Sequence, residues 1–178
     1  MRRINGILAV AVLIMFIVHG IFGALNMMNI APLIAKVLSH TMLTLIAVHA
    51  VISVGLSVQS VRTAVRTKAP YFKMNRLFWA RRISGVLIMT LVFFHMTAFG
   101  FTEGGVFRLV PFDLPRFILQ MLFLLSVSLH VISNVKPVLI TFGVKRLKPK
   151  TGDVLFFVSA ALLFMAIGFI IYYIRWQL

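Results

Sequence analysis

The sequence predicts an all-α membrane protein, a five-helix transmembrane bundle with its N-terminus in the cytoplasm and its C-terminus outside. Three observations lead there. Hydrophobic residues fill 61% of the 178 positions and charged residues only 12%, against roughly half and a quarter in a soluble domain; mean hydropathy is +1.05. Five apolar stretches reach the about 20 residues that a helix needs to cross the hydrocarbon. Finally, 18 Lys and Arg face only 3 Asp and Glu, and most of the basic residues gather on one side of those stretches.

The first stretch, residues 4–25, follows Arg2 and Arg3. A basic start before an apolar run also suits a signal peptide, but this run is long enough to span and is read as a helix. The second, 32–60, and the fourth, 115–142, exceed the hydrocarbon thickness, which permits tilt or protrusion. The third covers 83–101, and the fifth, 154–174, carries no charge. Arg62, Arg66, Lys68, Lys73, Arg76, Arg81 and Arg82 separate spans two and three, and Lys145, Arg146, Lys148 and Lys150 separate spans four and five. With Arg2 and Arg3 these place 13 of the 18 basic residues on one side, which the positive-inside rule makes cytoplasmic. Lys36, Arg108, Arg116 and Arg175 fall on the other side, and Lys136 within the fourth span. Without repeats or low-complexity tracts, the chain reads as a single integral-membrane domain over 1–178. Its one long loop, 61–82, contains Pro70 and Asn75, which break any long helix but leave room for a short interfacial one. That loop is either a solvated or lipid-facing surface or a docking place for a soluble partner; a nucleic-acid partner is not expected.

Cysteine is absent, which excludes disulfides, thiolate zinc sites, cysteine-held iron–sulfur clusters and covalent c-type haem. The chemistry therefore falls to the histidines. All five, His19, His40, His49, His95 and His130, lie inside predicted spans, where a polar side chain is expensive and a functional candidate by default. One isolated case reads best as an interhelical hydrogen bond. Five on four helices, with almost no intramembrane carboxylate to pair with, point to neutral imidazoles as axial ligands of haem iron.

Depth sorts them. At about 1.5 Å of rise per residue, His19 and His95 lie about 10 and 12 Å from the outer ends of their helices, and His49 and His130 about 25 and 22 Å. Each tier takes one histidine from each of two helices, the arrangement that a six-coordinate haem b requires. His40 is nine residues from His49, two and a half turns, so the two point to opposite faces of one helix. His40 is left as a replacement outer ligand, a quinone-site residue or an interhelical contact.

Secondary candidates surround these tiers. Gly20 and Gly23 follow His19, Gly85 and Gly100 flank His95, and Ser53 and Gly55 follow His49; small residues admit a wide ring or simply let helices pack closely. Haem propionates need basic partners. Arg81, Arg82 and Lys136 are placed to reach the inner tier by snorkelling, and Arg108 and Arg116 the outer one, unless they only anchor helix ends.

Four histidines, one on each of the first four of five helices, resemble the dihaem cytochrome b membrane subunit of succinate:quinone oxidoreductases, the superfamily of succinate dehydrogenase and fumarate reductase. The segment 75–85, NRLFWARRISG, also looks like the Arg-x-Ser-Gly lead into a helix in these anchors. The resemblance implies that His19 and His95 hold a distal haem b and His49 and His130 a proximal one, with Arg82 and Ser84 near the cytoplasmic quinone or haem edge. It implies a membrane anchor carrying electrons between a quinone, menaquinone or ubiquinone, and flavoprotein and iron–sulfur subunits on the cytoplasmic side of a bacterial inner membrane. Glu103, with His40 and Ser84, is a candidate for quinone or proton contact, set against an ordinary loop role. The chain departs from the family in being short and in lacking an acidic residue in its first outer loop, 26–32. Two alternatives remain: a dihaem subunit of another respiratory oxidoreductase, such as a nitrate reductase gamma or hydrogenase-type anchor, and a haem-free structural or transport protein. Ligands in the former tend to cluster on fewer helices, and the latter commonly shows repeats, broken helices and intramembrane acids. The oligomeric state is left open.

The charge pattern makes a topological prediction. A reporter active only outside the cytoplasm is expected to be active when fused after Leu178 and silent when fused after Lys68; the reverse result would invert the orientation.

Overall fold

The computed structural model describes residues 1–28, 30, 35–68, 76–103 and 106–178. In chain order these form α1 (Arg2–Met27), α2 (Ala35–Arg66), α3 (Arg76–Thr97), the hairpin strands β1 (Gly100–Glu103) and β2 (Val106–Leu109), α4 (Leu114–Thr141) and α5 (Leu147–Gln177). All five helices are long and apolar enough to cross a membrane, so the chain is an integral membrane protein.

The helices overrun the apolar stretches where charge does not oppose helix formation. α2 continues six residues past 60 because its extension is built of Val, Arg, Thr and Ala, and Arg66 occupies the last turn, where the helix dipole favours a cation. α3 begins at Arg76, seven residues before its apolar run. Arg76, Arg81 and Arg82 are therefore helix residues rather than loop residues. Pro32, Pro70, Lys73 and Asn75 lie outside the described residues.

At its other end α3 stops at Thr97, four residues short of the expected boundary. The chain turns instead into an antiparallel hairpin running from Gly100↔Leu109 to Glu103↔Val106. Glycine is a poor helix former, and the sequence places Gly100 here and a Gly104-Gly105 pair between two extended runs, a hairpin signal. An ion pair between Arg108 Nε and Glu103 Oε2, 2.8 Å, closes the hairpin.

α4 starts where Asp113 caps it, accepting from the Arg116 backbone N–H at 3.0 Å, with a proline in the first turn where the missing N–H does no harm. It ends at Gly143, whose φ of +68° suits the left-handed position after a helix, and the Val144 N–H reaches back to Leu139 at 3.1 Å. α5 restarts at Leu147, seven residues before its apolar run, so Lys148 and Lys150 are also helical.

α1 packs against α2, α4 and α5, and α4 packs against α3 and α5. The core lies mainly between α4 and α5: Leu124 and Val127 meet Val158, Leu162, Met165 and Phe169. An aromatic cluster closes one end, with Phe99 stacked on Phe112 at 5.4 Å and on Phe169 at 6.1 Å, and Tyr172 edge-on to Phe112 at 5.0 Å. At that same end Arg175 donates to the Met27 carbonyl at 3.0 Å. Large apolar side chains such as Val51, Phe93, Leu125 and Phe156 point outward, as lipid tails require.

The α1–α5 crossing depends on Gly168. A Cβ there would lie 2.8 Å from Ala24 Cβ and 3.1 Å from Ala24 Cα. Gly168→Ala is expected to cost about 1–3 kcal/mol through overpacking, read as a lower thermal unfolding midpoint in detergent. Gly23→Ala, with nothing within 4 Å of the added Cβ, should leave it unchanged.

Candidate functional site

Two polar clusters interrupt the apolar interior, one towards each end of the bundle. The cluster that the charge pattern would turn outward, the outer cluster, centres on His19 of α1 and His95 of α3, whose ring centres stand 6.1 Å apart with their planes at 71°. α1 and α3 are not a closely packed helix pair, yet their two imidazoles meet edge-on. On its α4 side, His95 Nδ1–H donates to Gln120 Oε1 at 2.7 Å. Phe123 stacks on the same ring at 5.0 Å, and Phe99 meets it edge-on at 5.7 Å. Nδ1 of His19 is buried without a hydrogen-bond partner among the described residues.

The inner cluster centres on His130 of α4. Its Nδ1–H lies 3.2 Å from both the Arg81 carbonyl and Ser84 Oγ of α3. Ser84 is fully buried and donates its own proton to the Ala80 carbonyl at 2.6 Å, leaving its oxygen to accept. Gly85 makes room for the ring: a Cβ there would meet His130 Cε1 and Nδ1 at 3.4 and 3.5 Å. The Nδ1–Cε1 edge therefore rests on α3, and Nε2 faces away. His49 stands on α2. Beside His49, Ser53 Oγ donates to Asn5 Oδ1 of α1 at 3.1 Å and makes a long 3.5 Å contact with His49 Nε2. His49 Nδ1 is buried with no partner among the described residues.

The two clusters are built reciprocally. α3 supplies the histidine outside and the acceptors inside, while α4 supplies the acceptor outside and the histidine inside. Ser84 and His95 are eleven residues apart and Gln120 and His130 ten, so the clusters are separated by about 15–16 Å along the helices.

The other candidates fall as follows. His40 is exposed on α2, with its carbonyl accepting from Thr44, whereas His49, nine residues on, is half-buried. Arg81 and Arg82 stand at the inner cluster, Arg82 also covering the Phe78 ring at 4.9 Å. Lys136 is exposed on α4. Arg108 bonds Glu103, and Arg116 bonds Asp113 at 3.0 Å and the Pro111 carbonyl at 2.8 Å; these contacts tie down the hairpin and the start of α4. Gly85 serves His130 rather than His95, and the space beside Gly20 is taken by the Met165 side chain. Sequence reasoning missed Gln120 and Asn5. A lone amide in an apolar run was the available signal for Gln120.

The His19–His95 couple has the spacing that two ligands of one haem iron would need. Two imidazoles on opposite sides of one metal, each with a nitrogen about 2 Å from it, put their ring centres about 6 Å apart, which is the separation of His19 and His95. His95 and His130 each engage Nδ1–H with an oxygen, the hydrogen bond that a ligating histidine usually makes with its other ring nitrogen. No group of three or more His, Asp or Glu gathers as a metal site among the described residues. Comparison with family models, with curated proteins and with solved structures yields no match.

Proposed function

We propose that the chain is the dihaem cytochrome b anchor of a succinate dehydrogenase or fumarate reductase type complex, carrying electrons between a quinone pool and cytoplasmic flavoprotein and iron–sulfur subunits. The observation that carries this reading is the meeting of His19 and His95 at 6.1 Å across helices that do not otherwise pack closely. His49 and His130, expected as the second couple, both fall towards the other end, beside Asn5 and Ser84 respectively.

Haem b, when bound, supplies one-electron redox chemistry; the chain supplies the setting. His19 and His95 hold one group, His49 and His130 the other. Gln120 and the Arg81 carbonyl fix the tautomers of His95 and His130. Phe99 and Phe123 keep water from the outer ring. Arg81 and Arg82 bring positive charge to the inner cluster, where anionic propionates would lie.

The helix ends that bear most of the basic residues share one side: Asn5 meets Ser53, Gly6 abuts Thr141, and Ser84 meets His130. By the positive-inside rule that side is cytoplasmic, so the inner cluster would face the soluble partners of this reading, in a bacterial inner membrane.

The purified protein is expected to show a b-type α band in its reduced-minus-oxidised spectrum and two haems per chain. His19→Ala or His95→Ala should remove one haem, and His49→Ala or His130→Ala the other. A spectrum without the α band ends this reading, and loss of neither haem in His19→Ala would move the outer ligand to His40.

A further inference from the structure

We infer that Gln120 is a positioning residue for the outer haem, setting the tautomer, the orientation and the electron donation of the His95 imidazole. The inference rests on the dihaem reading above and concerns a residue that touches no iron itself.

Gln120 is only 1% exposed and sits in a helix that is otherwise apolar around it. An amide buried in such surroundings is destabilising unless it is hydrogen-bonded. Its side chain makes one such bond among the described residues, to His95 Nδ1. At 2.7 Å that bond is at the short end for N–H···O.

The bond has three consequences. It places the proton on Nδ1, so the lone pair is on Nε2. With Phe123 stacked on the ring at 5.0 Å, it also prevents rotation about χ2. And an acceptor on Nδ1–H makes the imidazole a stronger electron donor through Nε2, which favours ferric over ferrous iron. The two tiers differ here. His130 has a main-chain acceptor, the Arg81 carbonyl, as well as Ser84 Oγ, and no side-chain substitution removes the first, whereas the outer ring depends on one replaceable amide.

The test is a redox titration of the full-length protein in membranes, followed at the α band, with the ferric low-spin electron paramagnetic resonance signals as a second readout. His95→Ala identifies which signal belongs to the outer haem. Gln120→Leu, which keeps the volume and removes the acceptor, is expected to raise the midpoint of that haem and alter its g anisotropy. Gln120→Glu, a stronger acceptor, is expected to lower it. The inner haem should titrate as in the wild type in both.

Shifts in opposite directions confined to the outer haem support the inference, as does loss of that haem in Gln120→Leu with retention in Gln120→Glu. Unchanged midpoints, shifts of the same sign in both variants, or loss of the haem in both overturn it while leaving the dihaem reading intact. A wild-type protein without haem overturns the reading and the inference together.

Discussion

An imidazole inside hydrocarbon cannot turn to water, so the protein must provide for both of its nitrogens. That constraint organises the interior of this bundle. His95 and His130 each commit one nitrogen to the neighbouring helix, and the acceptors, Gln120 Oε1 and the Arg81 carbonyl with Ser84 Oγ, stand on opposite members of the α3–α4 pair. The pairing welds α3 to α4 at two levels and turns both remaining nitrogens away from the weld. A metal ligand satisfies a nitrogen as well as a hydrogen bond does. Under the dihaem proposal the second nitrogen of each would be met in that way.

The elements without ligands set the scaffold. α5 carries no histidine and lies behind α1 and α4, where close approach at Gly168 and Ala24 holds the α1 backbone that presents His19. Beyond the outer cluster, Phe99, Phe112, Phe169 and Tyr172 form an aromatic plug. The charges nearby are balanced locally by the Glu103–Arg108 and Asp113–Arg116 pairs. The outer cluster thus has an uncharged, aromatic surround. The inner one lies under Arg81 and Arg82 and opens towards the basic helix ends. The same side chain, histidine, sits in two electrostatic settings.

Hydropathy made the five spans readable, because crossing hydrocarbon demands a long apolar run and little else. Counting rise per residue set His19 level with His95 by running the third helix to Glu103; the helix ends at Thr97, so that depth count fails for His95, although the two rings do stand 6.1 Å apart. Helix ends were less readable. Arg62, Arg66, Arg76 and Arg82 are good helix formers, so α2 and α3 continue into water where apolar character stops. The hairpin was hidden because Phe101, Phe107 and Leu109 are as apolar as any span residue, and only the glycines betray a turn. Partners of polar side chains were not readable at all. Nothing in the local sequence of Gln120 or Gly85 says which histidine they serve, since that depends on how α3 and α4 slide against each other.

That sliding is fixed by two nearly equal intervals, Ser84 to His95 and Gln120 to His130. Adding or deleting one residue inside either would swing everything beyond it by about 100° around the helix axis, separating one imidazole from its acceptor while sparing the other. These two segments should therefore tolerate exchanges of one apolar side chain for another on their lipid-facing sides, yet resist any change of length. The pair behaves as a gauge whose graduations are counted in residues rather than spelled in particular letters.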